Sequence, residues 1–117
     1  PTRGGLATTL AEIAMQSQVC ITLEEAAIPI DQPVRKACEL LGLDPLYLAN
    51  EGKMIIILPE ADAPTALSYL RAQRYGEGAQ LIGKVTAKPV GQVWLRTPLG
   101  TTRVLEMLAG EMLPRIC

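Results

Sequence analysis

The 117-residue sequence has no histidine and no phenylalanine, and only one tryptophan and three tyrosines. Without histidine there is no Ser/His/Asp set for nucleophilic catalysis and no imidazole for a metal centre. Without phenylalanine the core has to be built from Leu, Ile, Val, Ala and Met. The longest apolar run, Met54 to Leu58, is five residues, far short of the roughly 20 that a membrane-spanning helix needs. No cationic surplus exists either: the net charge is −1 and the pI is near 5.4. A nucleic-acid partner is therefore not expected, because nothing would displace counterions from phosphates. The cysteines, Cys20, Cys38 and Cys117, are odd in number and far apart, with no Cys-x-x-Cys pair. That spacing excludes an ordinary structural zinc site, and free thiols fit a reducing cytoplasm. There is no P-loop and no dinucleotide fingerprint, so the chain alone is not expected to process a nucleotide.

What is present suits one globular domain with one core: 49% of residues are hydrophobic and 20% charged. The chain begins at Pro1 without an initiator methionine, as a processed chain or a piece of a longer one would. Leu6, Leu10, Ile13 and Ala14 recur at helical spacing and predict an amphipathic helix over 6–16. Val19–Leu23 reads as a strand. Asp31 is a candidate N-cap for a second helix, with Val34, Ala37, Cys38 and Leu41 on one face and Gly42 closing it. The turn at Asp44-Pro45 leads to Asn50-Glu51-Gly52, and the Lys53–Leu58 run predicts a strand covered on both faces. Asp62 and Pro64 open a third helix that turns Ala63, Ala66, Leu67 and Leu70 inward. A strand is expected over Gln80–Val85, then a hairpin of Val93–Thr97 and Thr101–Met107 closed by Pro98-Leu99-Gly100. The fold class is α+β, a mixed sheet with packed helices. The domain is expected over 1–109, with a mobile tail over 110–117.

That tail ends in Leu113-Pro114-Arg115-Ile116-Cys117. Gly110 and Pro114 oppose regular structure. A thiol on the last residue suits a covalent carrier of a small group, although any residue type can end a chain. Arg115 favours the thiolate, whereas the adjoining terminal carboxylate opposes it. Cys20 and Cys38 read as small core residues. Arg3-Gly4-Gly5 precedes a helix N-terminus and is either an anion-facing loop or a plain helix-leading turn. Asn50-Glu51-Gly52-Lys53 sits just before the most apolar segment. It reads either as functional side chains fixed to a strand or as a polar turn with a solvated Glu–Lys pair.

With these segments on view, the chain resembles, nearly end to end, the C-terminal domain of the HypE family of hydrogenase maturation factors. The resemblance rests on Pro1-Thr2-Arg3-Gly4-Gly5-Leu6-Ala7-Thr8-Thr9-Leu10, Glu24-Glu25-Ala26-Ala27-Ile28-Pro29 and Ala37-Cys38-Glu39-Leu40-Leu41-Gly42-Leu43-Asp44-Pro45-Leu46-Tyr47. It continues through Ala49-Asn50-Glu51-Gly52-Lys53 to Pro114-Arg115-Ile116-Cys117. It implies the C-terminal domain of an aminoimidazole ribonucleotide synthetase-like fold, without the family's N-terminal domain. In that family the terminal cysteine accepts a carbamoyl group from HypF. ATP-dependent dehydration makes a thiocyanate, and the cyanide passes to iron on the HypC–HypD complex, for [NiFe]-hydrogenase. By this resemblance Cys117 is the carrier and Glu51 the base, with Asn50 and Lys53 orienting it and Arg115 tuning the tail. Arg3, Gly4 and Gly5 face the nucleotide. ATP and Mg²⁺ would be held mainly by the missing domain, as would the homodimer contact, so the isolated domain is expected to be inactive. The alternative is a non-catalytic protein-interaction module.

Overall fold

The computed structural model of the chain describes residues 1–107. Gly4 and Gly5 take φ values of 67° and 65°, left-handed backbone that glycine adopts without a Cβ penalty. From that turn α1 (Gly5–Ser17) begins, one residue beyond the predicted helix at each end. Its Ala7, Leu10, Ala11 and Ala14 are buried, the spacing of one apolar face of a 3.6-residue helix.

Four strands follow in chain order: β1 (Cys20–Glu24), β2 (Gly83–Thr86), β3 (Gln92–Arg96) and β4 (Thr102–Leu105). They lie in the order β2-β1-β3-β4. β1 runs parallel to β3, and the other two pairings are antiparallel, so the sheet is mixed as expected. The register places Ile21 opposite Val93 and Leu23 opposite Leu95, with Val93 in turn opposite Leu105. All five are buried and form one core with Ala7, Leu10, Ala11 and Ala14 of α1. Gly100, at φ 85°, turns the β3–β4 hairpin where it was expected.

The remaining helices are α2 (Gln32–Leu41) and α3 (Ala63–Arg71). Asp31 and Gly42 flank α2 as predicted, Gly42 at φ 68°. Its apolar face is not covered by the described residues, however. Cys38 is buried, whereas Val34 is 43% and Leu41 68% exposed. On α3, Ala63, Ala66, Leu67 and Leu70 are half-buried, the side expected to turn inward.

The strand expected over Gln80–Val85 begins only at Gly83, and the next expectation fails outright. Lys53–Leu58 is neither helix nor paired strand, and it is not covered on both faces. Ile55 packs against the core, but Met54 is 82% exposed and Ile56 and Ile57 about half exposed. Unbroken hydrophobicity signals burial in some complete assembly, and the described residues supply no second layer over this run. The tail over 110–117, the boundary at 109, and with them Arg115 and Cys117, lie outside the described residues.

Candidate functional site

The site is organised by one turn. The Asp44 carboxylate accepts a hydrogen bond from the Leu46 amide at 2.9 Å and so opens a single 3₁₀ turn, Pro45–Tyr47. Leu46 is buried beneath it. The start of α1 presses against this turn: a Cβ on Gly5 would lie 2.5 Å from the carbonyl oxygens of both Leu46 and Leu48. Two residues further on, the Asn50 amide donates to the carbonyls of Pro1 at 3.1 Å and Thr2 at 3.2 Å. The two clusters singled out in the sequence, Arg3-Gly4-Gly5 and Asn50-Glu51-Gly52-Lys53, therefore adjoin.

The same turn is fastened to the end of the sheet. The Tyr47 hydroxyl donates to the Glu106 carbonyl at 2.8 Å and accepts from the Glu106 amide at 3.2 Å. Arg103 of β4 pairs with Asp44 at 2.8 Å. Beyond Met107, ten residues lead to Cys117. Thus Glu106, the Glu51 loop and the start of α1 share one support.

Asn50, Glu51, Gly52 and Lys53 are all exposed. Gly52, at φ 75°, has open space where a Cβ would point. Ion pairs among the described residues include Lys84–Glu60, Arg96–Glu24 and Arg103–Asp44. Glu51 and Lys53 are not paired with each other, and the loop is an exposed polar turn. At the start of α1 no side chain caps the helix and no carboxylate lies in the first turn. Thr8 Oγ1 is enclosed there with no hydrogen-bond partner, beside Gly4. The start of α1 thus presents N–H groups that no side chain caps. Gly5 is buried, and its missing side chain is accounted for by contact with Leu46 and Leu48 rather than by access to a ligand.

Cys20 and Cys38 are buried core residues, as read from the sequence. Two clefts of about 360 and 300 Å³ flank this support, the first lined by Asp44, Pro45, Leu46 and Arg103 and the second by Glu106 and Met107; neither is lined by Arg3, Asn50, Glu51 or Lys53. Among the described residues, the candidate site is an exposed corner at the Asn50–Lys53 loop. Sequence reasoning missed Tyr47 and Thr8. Tyr47 acts across 59 positions, and no local pattern announces such a bond. Thr8 looks like any threonine in a helix.

The mixed four-stranded sheet with α1 packed on it and a glycine-opened first turn is the fold in which this corner sits. The profile of "AIR synthase related protein, C-terminal domain" matches residues 1–96, and the chain belongs to that family. Within it, the chain is similar to the carbamoyl dehydratase HypE of Cupriavidus necator, at 54% identity over 100% of the chain and 33% of the relative. Identity to carbamoyl dehydratase HypE of Azotobacter vinelandii is 53%, over 100% of the chain and 34% of that protein. A crystal structure of hydrogenase maturation protein HypE superposes with TM-score 0.92 at 56% identity, covering 100% of this chain and 38% of that one. One of HypE in complex with ATP gives 0.91 at 55%, covering 100% and 36%. A HypE–HypF complex gives 0.86 at 38%, covering 92% and 35%. The chain spans about a third of the length of the curated relatives it matches.

Proposed function

We propose that this chain is the carrier-and-catalysis domain of an ATP-dependent S-carbamoyl dehydratase, with Cys117 as the carrier thiol. The observation that carries the reading is the Pro45–Tyr47 turn, which holds the Glu51 loop, the α1 start and Glu106 together. From Met107, ten extended residues reach at most about 35 Å, enough for a thiol to visit both a donor and the Glu51 corner.

Turning an S-carboxamide into an S-cyano group removes the amide oxygen and both N–H protons. ATP, with Mg²⁺, supplies the phosphoryl group that makes the oxygen a leaving group. The residues of this chain supply the rest. The exposed Glu51 carboxylate would accept one of the two amide protons, the other leaving with the amide oxygen in inorganic phosphate, and Asn50 and Lys53 would orient Glu51 and balance its charge. Arg3 and the uncapped start of α1 sit where transferred or departing anionic oxygens would gather. Arg115 favours the Cys117 thiolate during loading. HypF as carbamoyl donor is supported by the HypE–HypF complex to which this fold is similar. Nucleotide use is supported by the neighbour in complex with ATP. Delivery of cyanide to HypC–HypD, a homodimer of the whole protein and a cytoplasmic setting belong to the same proposal.

The test is the product on Cys117. In the full-length protein, Glu51→Gln should load a carboxamide normally, because loading uses only the thiol. It should then stall, with thiocyanate formation slower by about 10² to 10⁴. Intact mass of the C-terminal peptide at fixed times with ATP separates the two adducts. A wild-type thiocyanate yield would remove Glu51 from the mechanism. A peptide that stays unmodified beside an active donor would leave only the non-catalytic interaction module.

A further inference from the structure

Asp44 gives its two carboxylate oxygens to two different partners. Oδ1 accepts the 2.9 Å hydrogen bond from the Leu46 amide that shapes the Pro45–Tyr47 turn. Oδ2 accepts from the Arg103 guanidinium at 2.8 Å, across 59 positions of chain. Tyr47 reaches Glu106 across the same separation of 59. The turn and the end of β4 therefore run in the same direction and are joined at two points. A single link would leave the turn free to swing about it. Two links, three residues apart in the sequence, fix its direction as well as its place. Glu51 lies four residues beyond the second link, and the amide of Asn50 beside it is bonded to Pro1 and Thr2.

Stability does not account for the charged link. The Arg103 and Asp44 side chains are 47% and 26% exposed, and an ion pair that open to water adds little to folding. The Tyr47 link and the buried Leu46 already hold the turn down. Arg103 also lines the cleft of about 360 Å³, so shortening its side chain empties no buried space. What the charged link adds is a limit on where the turn sits along β4. Reaction rates are sensitive to displacements of that kind, because a misplacement of about 1 Å costs about a hundredfold. We propose that Arg103, acting through Asp44, is a positioning residue for the dehydration step. It sets where the Glu51 carboxylate stands and touches no reacting group itself. This assignment rests on the proposed function for the role of Glu51.

The experiment follows loading and dehydration separately in the full-length protein, by the mass of the adduct on Cys117 before and after ATP is added. Arg103→Gln should load at the wild-type rate and then dehydrate more slowly by about ten- to a hundredfold at saturating ATP. Arg103→Lys keeps one charged donor for Oδ2 and should recover most of that loss. Asp44→Asn keeps an acceptor for the Leu46 amide but loses the charge. It should match Arg103→Gln, and the double variant should be no slower than either. Arg96→Gln breaks an ion pair of similar length, 2.9 Å, between Arg96 and its register partner Glu24 in the sheet. Both steps should be unchanged in it. Amide exchange at Asn50 gives a second measurement that needs no activity. It should quicken by about tenfold in Arg103→Gln and stay put in Arg96→Gln. Wild-type dehydration in a folded Arg103→Gln protein would overturn the proposal. Equal slowing in Arg96→Gln would overturn it as well, by making the effect one of general loosening, and so would losses that simply multiply in the double variant. If the wild-type protein makes no thiocyanate beside an active donor, the dehydratase reading falls by itself. Exchange at Asn50 then decides alone whether Arg103 holds the loop.

Discussion

Adding one methyl group at Gly5 should separate the two halves of the candidate site. Gly5 has φ 65°, where an L-residue loses about 1–2 kcal/mol. Its Cβ would also sit 2.5 Å from two backbone carbonyl oxygens, on Leu46 and Leu48. Backbone atoms cannot rotate aside, so overpacking adds about 1–3 kcal/mol. The expected loss for Gly5→Ala is therefore about 2–5 kcal/mol. Gly42→Ala is the control, because its φ of 68° is nearly the same but nothing lies within 4 Å of its Cβ. It should show only the backbone part, about 1–2 kcal/mol. Urea unfolding of the chain, with the slope checked for constancy, measures both. Amide exchange at Asn50 should rise in Gly5→Ala and stay unchanged in Gly42→Ala, because the Asn50 bond to Pro1 and Thr2 depends on the same contact. Equal losses in the two variants would refute the claim that α1 and the Pro45–Tyr47 turn are in forced contact.

Tyr47→Phe removes both hydrogen bonds to Glu106 while keeping the ring. About 1 kcal/mol should be lost, read as a Tm drop of roughly 5 °C, and an unchanged Tm would show that Glu106 is held by other contacts. Cys117→Ala should abolish adduct formation in the full-length protein and leave the melting curve of the chain where it was; a lower Tm would make the end of the tail part of the fold. Glu60 has its carboxyl held below the usual range, first by the hydrogen bond from Lys84 and then by that ammonium's charge. A depressed folded-state value means that its contribution is present above the unfolded value and disappears as pH falls through the folded one. Glu60→Gln should thus lower the Tm slightly at neutral pH, and the gap should close in acid and in high salt. A gap that widens in acid would contradict the assignment.

Most of the fold was legible because it is written in periodicity. The α1 stripe, the Asp31 and Gly42 bounds of α2 and the Gly100 hairpin each depend on residues within a few positions of one another. Cys20 and Cys38 were read as core for the same reason. Lys53–Leu58 was misread because an unbroken apolar run reports that a segment is buried somewhere, without saying by what. The exposed face of α2 misled in the same way, Val34 and Leu41 having the spacing of a buried stripe without a layer over them. At the site, the motifs were visible and their meeting was not. Nothing near Asn50 says that its amide will bond to Pro1 and Thr2, or that Tyr47 will hold Glu106.

That division explains why the exposed corner is supported from beneath and bare on its surface. Asp44, Leu46, Tyr47 and the Asn50 amide are all committed to holding neighbours. The side chains of Glu51 and Lys53, on the same short segment, are exposed and not paired with each other. A carboxylate already bound to the lysine two residues away would have to give up that partner before it could take a proton. One held on a fixed loop, with Gly52 allowing the backbone to turn beneath it, stays available to a group brought from outside. The chemistry proposed needs such a group to reach this corner on the thiol that was loaded elsewhere. A base on a supported loop would meet that need for a group carried on Cys117, because Tyr47 fixes Glu106 to the same turn.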